Sequence, residues 1–106
     1  MSALVKLGHV NKTVATAGTR VQLSTTSKLI TDLIVQANSG NSGVIYVGDS
    51  TVSSSVFAIA ITAGNTLSLT AADMGQGGSY ELDLKDLWID ASVGTDGASI
   101  GFFYRV

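Results

Sequence analysis

Few side chains in this 106-residue sequence could support catalysis. It contains no cysteine and one histidine, His9. A Ser-His-Asp triad would need His9 as its general base, and with 13 serines in the chain the nearness of one of them carries no information. The lack of cysteine also excludes a disulfide scaffold, a thiolate zinc site and a cysteine nucleophile. The sequence therefore predicts that the protein is not an enzyme.

Carboxylates are the other groups that could carry chemistry. Glu81 and Asp83 would share one strand face about 7 Å apart, and a carboxylate pair could in principle carry out glycosidic chemistry. Both alternate with apolar residues, which indicates the solvated face of a strand rather than a catalytic pair. Asp86 and Asp90 are likewise expected to be a solvated turn residue and a solvated strand residue.

Loop residues offer two further kinds of site. Calcium could bind among Asp49, Asp73 or Asp96, but no acidic loop with EF-hand spacing is present. Residues 75–78 (GQGG) do not open a helix and lack a following Lys-Ser or Lys-Thr pair, so they are not a phosphate-binding loop. We therefore expect neither a metal ion nor a cofactor.

Charge is scarce and unevenly distributed. Charged residues make up 13% of the chain, about half of the usual share. Residues 1–31 carry four cations and no acid, whereas residues 32–106 carry eight acids and two cations. The sequence pI of about 4.9 and the wide spacing of the cations argue against nucleic acid as the main partner. A charge-poor surface rich in Ser and Thr fits either an ordinary β protein or one that is buried against copies of itself or a partner.

Five residues are candidates for such an interface. Lys6, Lys12 and Arg20 are cations in or near residues 1–12, which we expect to form an extended N-terminal arm. This arm would dock either on the acidic remainder of its own domain or on a neighbouring subunit. Trp88 and Phe103 would point outward if Leu87, Ile89, Phe102 and Tyr104 point inward. Large outward apolar side chains mark an interface, a sugar-stacking platform or a second core layer.

The elements that would position these residues are short strands. Alternation of period two runs through residues 29–37, 44–47, 56–61, 66–70, 80–84 and 99–106. It places Leu29 on one face with Leu33, and it predicts a strand at 56–61 that is buried on both faces. Turn signals separate the strands, including a hairpin-type turn at Asp96-Gly97. This pattern predicts a single all-β domain over residues 13–106, an antiparallel β-sandwich or a jelly-roll-like barrel.

Three local features qualify this prediction. Leu84, Leu87, Trp88 and Ala91 have helical spacing, but their flanks favour a strand, a turn and a second strand. Residues 16–24 and 62–70 share a glycine turn followed by alternation, which favours two similar turns over a duplicated unit. The chain has no proline, so its edge strands need protection by subunit pairing or by the N-terminal segment.

Signals for targeting are missing from the sequence. The N-terminus has no long apolar region with a cleavage site. The longest apolar run, residues 56–61, is far shorter than the roughly 20 residues that cross a bilayer. We expect a protein made in a cytoplasm, with no membrane partner.

Several segments, in order, carry a resemblance to a known group of proteins. They are residues 13–23 (TVATAGTRVQL), 34–38 (IVQAN), 41–50 (NSGVIYVGDS), 61–69 (ITAGNTLSL) and 87–91 (LWIDA). This order resembles small structural proteins of tailed bacteriophages. The shared residues are turn-and-strand patterns, so no functional residue is carried over from the group.

The resemblance implies an all-β virion protein. Its expected role is that of a capsid decoration, or cement, protein that binds the head shell as a small oligomer. Its expected partners are then itself, as a dimer or trimer, and the major capsid protein. The alternative is a carbohydrate-binding or structural module of a tail fibre or head fibre.

Overall fold

The described residues, 5–70 and 82–105, form nine β-strands in this computed structural model. The strands are β1 (Val5–Thr13), β2 (Val21–Gln22), β3 (Leu29–Ala37), β4 (Val44–Gly48), β5 (Ile59–Thr62), β6 (Thr66–Thr70), β7 (Leu82–Asp83), β8 (Trp88–Ala91) and β9 (Gly97–Arg105). A 3-10 turn, Leu84–Asp86, stands between β7 and β8. The strand, turn and strand predicted for the region of helical spacing are confirmed.

Two antiparallel sheets are packed face to face. The larger sheet has the order β1-β9-β3-β6, with β7 also paired to β3, and the smaller sheet has the order β2-β8-β4-β5. Side chains from both sheets form one hydrophobic core between them. The predicted all-β fold is confirmed as an antiparallel β-sandwich.

The N-terminal strand pairs with the C-terminal strand along its whole length. Val5 lies opposite Arg105 at one end of the ladder, and Thr13 lies opposite Gly97 at the other. Residues 5–12 of the expected arm therefore belong to the sandwich, as the outermost strand of the larger sheet. Residues 1–4 lie outside the described residues, and the docking role of the segment stays a prediction.

The core consists of aliphatic side chains from the inner faces of the two sheets. Those with almost no exposed surface are Ile30, Leu33, Val35 and Ile100 in the larger sheet, and Ile45 and Ile89 in the smaller one. Fully burying one side chain of this kind contributes about 1.5–3 kcal/mol. Packing of these inward residues is what holds the two sheets together.

A β-bulge in β3 changes which residues face the core. The register of β3 against β9 shifts between Ile30 and Asp32, so Thr31 is an extra residue in the ladder. Ile30 and Leu33 are consequently both buried, whereas Leu29 is exposed. The prediction that Leu29 shares a face with Leu33 is therefore wrong, because simple alternation takes no account of an inserted residue.

Several connections carry the chain from one sheet to the other. Residues 38–43 join β3 to β4, residues 63–65 join β5 to β6, and residues 92–96 join β8 to β9. The prediction of a hairpin at Asp96-Gly97 is wrong, because β8 and β9 lie in different sheets. Turn residues specify that the chain reverses, but not which sheet receives the next strand.

The predicted strand at residues 56–61 is shorter and more exposed than expected. The strand begins at Ile59, and residues 49–58 form a loop before it. Val56 is 55% exposed, and Phe57 is also exposed and packs its ring 4.9 Å from that of Tyr46. Apolar residues on both faces therefore did not mean burial on both faces, because Val56 and Phe57 lie in the exposed loop before the strand.

Candidate interaction surfaces

Asp90 is a buried anchor for the loop between β1 and β2. Its side chain is 1% exposed, and its Oδ1 accepts hydrogen bonds from the backbone N–H groups of Gly18 (3.0 Å) and Ala91 (2.8 Å). Gly18 lies in that loop and has a φ of +88°, a conformation that favours glycine. The prediction of Asp90 as a solvated strand residue is wrong, because a loop 72 residues away in sequence covers it.

Asp96 anchors a second loop at the end of the sandwich. It is 4% exposed, and its two oxygens accept hydrogen bonds from the N–H groups of Ser42 (3.0 Å) and Gly43 (2.8 Å). Hydrogen bonds to a charged acceptor are stronger than neutral ones. This carboxylate therefore ties the β3–β4 connection to the β8–β9 connection, and its role in the structure is architectural.

Asp83 fixes the start of the 3-10 turn. Its carboxylate accepts hydrogen bonds from the Ser27 hydroxyl (2.5 Å) and from the backbone N–H groups of Lys28 (3.1 Å) and Lys85 (3.0 Å). These donors, with the Ser27 hydroxyl as the largest influence, lower the pKa of Asp83 below its ordinary value. Hydrogen bonds also lower the pKa of Asp49, through the hydroxyl and then the N–H of Thr51.

The lowered pKa of Asp83 predicts a loss of stability in acid. The unfolded-state pKa of an aspartate is about 4. A carboxylate whose folded-state pKa is lower than this contributes its full stabilisation at pH values above the unfolded-state pKa. That contribution is lost as the pH falls through the folded-state pKa. We expect the free energy of unfolding of the wild type to fall more steeply below about pH 4 than that of Asp83→Asn. Urea unfolding at a series of pH values measures this, and parallel curves for the two proteins would contradict it.

Metal and phosphate chemistry finds no support in the described residues. Within 5–70 and 82–105, no three His, Cys, Asp or Glu side chains lie together as a metal-binding group. His9 is exposed on β1, opposite Gly101 of β9. Asp73, Glu81 and the GQGG stretch at 75–78 lie outside the described residues. Three surfaces of the described residues are candidates for binding.

The first surface is the outer face of the larger sheet. Three rows of side chains cross it in register: Leu7–Phe103–Asp32, His9–Gly101–Ile34–Ser68 and Asn11–Ser99–Gln36–Thr66. Leu7 is 65% exposed, and Ile34 and Phe103 are each 38% exposed. We call these three side chains the outer patch. Its neighbours are mostly hydroxyls and amides, and Asp32 is the one carboxylate in the three rows, so Asp32 carries the largest desolvation cost when the face is covered.

The second surface is the open edge of the larger sheet, where the lysines lie. Lys6 is paired with Tyr104, and Lys12 is paired with Ala98. Because directly paired residues lie on the same face of a sheet, both lysines are on the inner side of β1. Inward-pointing charges are one means by which natural proteins keep an edge strand from pairing with another chain. The edge protection that the proline-free sequence calls for is thus supplied in part by these two lysines.

Aromatic rings and a third lysine complete this edge. The Lys28 ammonium lies 4.4 Å from the centre of the Tyr104 ring, a cation–π geometry. A cavity of about 300 Å³ opens beside it, lined in part by Lys12, Lys28 and Phe102. The Phe102 ring also covers Gly8, where a Cβ atom would lie only 2.7 Å from the ring Cζ. A side chain larger than glycine at this point of β1 would therefore displace the Phe102 ring.

The third surface is a groove on the outer side of the smaller sheet, between the β1–β2 loop and residues 49–58. Its upper part, of about 650 Å³, is lined by Gly18, Thr19, Arg20, Ser50, Thr51 and Trp88. Its lower part, of about 450 Å³, is lined by Ala17, Gly18, Ser53, Ser54, Asp90, Ala91 and Ser92. Both parts meet at Gly18, and we call the whole the loop groove.

The five interface residues predicted from the sequence fall on these three different surfaces. Phe103 lies in the outer patch, Lys6 and Lys12 lie on the open edge, and Arg20 and Trp88 come together in the loop groove. No single interface contains all five. Their participation in binding stays a prediction.

Sequence reasoning missed three residues of these surfaces. It gave no role to Leu7 or Ile34, although Ile34 alternates with buried Leu33 and Val35 and Leu7 lies next to Lys6. The signal that could have found them is an apolar residue on a face whose other members are polar. Asp90 had no such signal, because its burial depends on the distant loop of Gly18.

Comparisons with known proteins give distant structural likenesses. No family model and no curated protein sequence matches the chain. A subunit of Bacillus endospore appendages, which are disulfide-linked pili, aligns with 100% of this chain and 92% of its own, at 13% identity and a TM-score of 0.49. A chain of the cyanophage Pam1 capsid aligns with 98% of this chain and 84% of its own, at 14% identity and a TM-score of 0.34. The tobacco streak virus coat protein aligns with 93% and 86%, at 10% identity and a TM-score of 0.37.

These values are too low to add to the residue-level observations, so the function is inferred from the chain itself. Within the part of the chain that the structure describes, no helix has the length and hydropathy of a membrane span.

Proposed function

We propose that this protein is a non-enzymatic structural component of a virion, a capsid decoration protein that uses the outer patch to bind the head shell and copies of itself. The observation that supports the proposal best is the uncovered outer face of the larger sheet. Leu7, Ile34 and Phe103 lie on three adjacent strands there, surrounded mainly by polar side chains, with the carboxylate of Asp32 next to Phe103. Contiguous apolar surface with a polar rim is typical of protein–protein interfaces.

Three carboxylates with structural roles support a function without chemistry. Asp90 and Asp96 are occupied in holding loops, and Asp83 is occupied in capping a turn. A decoration protein needs only differential binding: a protein that binds the expanded shell and not its precursor stabilises that shell by mass action. Many weak sites on one shell then act together. Lys6 and Lys12, on the edge next to the outer patch, are proposed to meet acidic groups of the neighbour.

Self-association is the first test of the proposal. We expect the wild type to form a dimer or trimer in light scattering over a range of protein and salt concentrations. Leu7→Lys and Phe103→Lys each place a charge in an interface from which water is excluded. Each should raise the dissociation constant at least about tenfold, which corresponds to about 1.4 kcal/mol. Val56→Lys is the matched control, since Val56 is an exposed apolar residue outside the larger sheet. Equal loss of association in all three variants would contradict the proposal.

Shell binding is the second test. The probe is an expanded, empty shell of the major capsid protein encoded in the same genome, and the readout is co-sedimentation with the shell. We expect the wild type and Val56→Lys to sediment with the shell, while Leu7→Lys and Phe103→Lys stay in the supernatant. Circular dichroism of each variant confirms that it is folded. Wild-type protein that stays in the supernatant would overturn the decoration role.

A further inference from the structure

The loop groove has the chemistry of a ligand site that the proposed function does not use. It lies on the smaller sheet, and the outer patch lies on the larger one, so the two surfaces face different directions. Its two parts have volumes of about 650 and 450 Å³, which are within the range of small-molecule sites. Its occupancy is therefore independent of whether the outer patch binds a shell.

Its floor combines an aromatic ring with a carboxylate. Trp88 and Asp90 are two residues apart on β8, on the face opposite buried Ile89, so both point to the groove side of the sheet. The hydrogen bonds that Asp90 accepts from Gly18 and Ala91 both fall on Oδ1. The second oxygen, Oδ2, receives neither of these bonds, and Asp90 is one of the residues that line the lower part of the groove.

Its walls are almost entirely hydroxyl groups. The hydroxyl side chains that line it are Thr19, Ser50, Thr51, Ser53, Ser54 and Ser92. Hydroxyls both donate and accept, so they match a ligand that does the same at many positions. Arg20 is the one cation among the lining residues and Asp90 the one anion, so the two lining charges balance.

We infer that the loop groove binds a neutral oligosaccharide. One pyranose ring stacks its C–H face on the Trp88 indole, and a hydroxyl of the next unit donates to Asp90 Oδ2. The serines and threonines of the two loops bind the remaining hydroxyls. The buried carboxylate disfavours an anionic ligand such as a phosphate or nucleic acid, and the hydroxyl walls disfavour an apolar one.

The single tryptophan makes the inference directly measurable. Because Trp88 is the only tryptophan in the chain, the indole N–H gives one cross-peak in a ¹H–¹⁵N spectrum. A printed glycan array selects the binding glycan, and soluble chitotetraose, cellotetraose and maltotetraose serve as probes beside it. We expect a saturable shift of the indole cross-peak with at least one neutral glycan. No bound glycan on the array and no shift at millimolar probe would overturn the inference.

Two variants locate the site. Ala17→Trp adds a large side chain at an exposed position that lines the lower part of the groove, and Ala63→Trp adds the same side chain at an exposed turn between β5 and β6. Calorimetric affinity for the selected glycan should fall at least tenfold in Ala17→Trp and stay unchanged in Ala63→Trp. Asp90→Asn, which keeps an oxygen for the Gly18 and Ala91 N–H groups, should also weaken binding. Undiminished affinity in Ala17→Trp would place the glycan elsewhere and refute the assignment.

Discussion

Gly97→Ala is expected to destabilise the sandwich by about 3 kcal/mol, at the upper end of what overpacking costs. A Cβ atom at residue 97 would lie 2.5 Å from the carbonyl oxygen of Lys12 and 3.2 Å from the Cα of Thr13. Both are backbone atoms of the paired strand β1, so no side-chain rotation can relieve the contact. β9 would have to move away from β1 at the start of their ladder.

Gly97 is also held too firmly to move. Its carbonyl accepts hydrogen bonds from Asn38 N–H (3.0 Å) and from the Asn41 side chain (2.8 Å), and its own N–H donates to Asn41 Oδ1 (3.0 Å). A shift that relieves the contact with β1 breaks one or more of these bonds. Gly97→Ala is therefore destabilised in either case: by the steric clash if β9 stays in place, or by lost hydrogen bonds if β9 moves.

Gly40→Ala is the matched control for this prediction. Gly40 lies in the same end of the fold and is exposed, and a Cβ atom added there would have no neighbour within 4 Å. The free energy of unfolding of this variant should stay within about 0.5 kcal/mol of the wild type. Urea unfolding at neutral pH compares the three proteins. If Gly97→Ala is as stable as Gly40→Ala, the close approach of β1 and β9 at this point is wrong.

The second large effect is expected for Asp96→Ala, with a loss of about 3 kcal/mol. The substitution removes two hydrogen bonds to a charged acceptor, each worth about 1.5–3 kcal/mol, and part of the loss is regained when water reaches the freed N–H groups. Ser42 and Gly43 would lose their partner. Because these two residues directly precede β4, the conformation of the β3–β4 connection depends on Asp96.

Two further substitutions test whether the carboxylate itself is responsible. Asp96→Asn keeps one acceptor oxygen and should lose an intermediate amount of stability. Asp49→Ala removes an exposed carboxylate that accepts hydrogen bonds from Thr51 within its own turn, and should cost much less stability than Asp96→Ala because solvent screens the group. Chemical denaturation ranks the variants. Equal losses in Asp96→Ala and Asp49→Ala would show that burial of Asp96 contributes nothing.

The parts of the fold that follow from local alternation were predicted from the sequence. The strand Val44–Gly48, the strand Trp88–Ala91 and the opposite orientation of Phe102 and Phe103 all agree with the structure. Each depends only on the rule that neighbouring side chains in a strand point to opposite faces. Two of the surface residues, Trp88 and Phe103, were found in the same way.

The two similar glycine turns illustrate both the reach and the limit of local reasoning. Gly18 and Gly64 both have positive φ, of +88° and +78°. Thr19 N–H bonds Thr16 C=O, and Asn65 N–H bonds Thr62 C=O, each at 3.0 Å. The strands that follow nevertheless join different sheets. Local sequence thus sets the turn, while the destination of the next strand depends on packing with distant residues.

The features that the sequence could not indicate depend on contacts between distant residues. The bulge at Thr31 is defined by the pairing of β3 with β9, about 70 residues later in the chain. The burial of Asp90 depends on the Gly18 loop, 72 residues earlier. The outer patch likewise combines Leu7, Ile34 and Phe103 from three strands that are adjacent only after folding.

The pairing of β1 with β9 also has a mechanical consequence. Val5 lies opposite Arg105 at one end of the ladder. A force that pulls these two residues apart therefore separates the residue pairs one after another. Only one pair resists the force at a time, so the force required is small. A tether at either end of the chain would therefore peel β1 away before the rest of the sandwich yields. A partner bound to Leu7, Phe103 and Ile34 would contact β1, β9 and β3 together. The same force would then have to separate several strands at once instead of β1 alone.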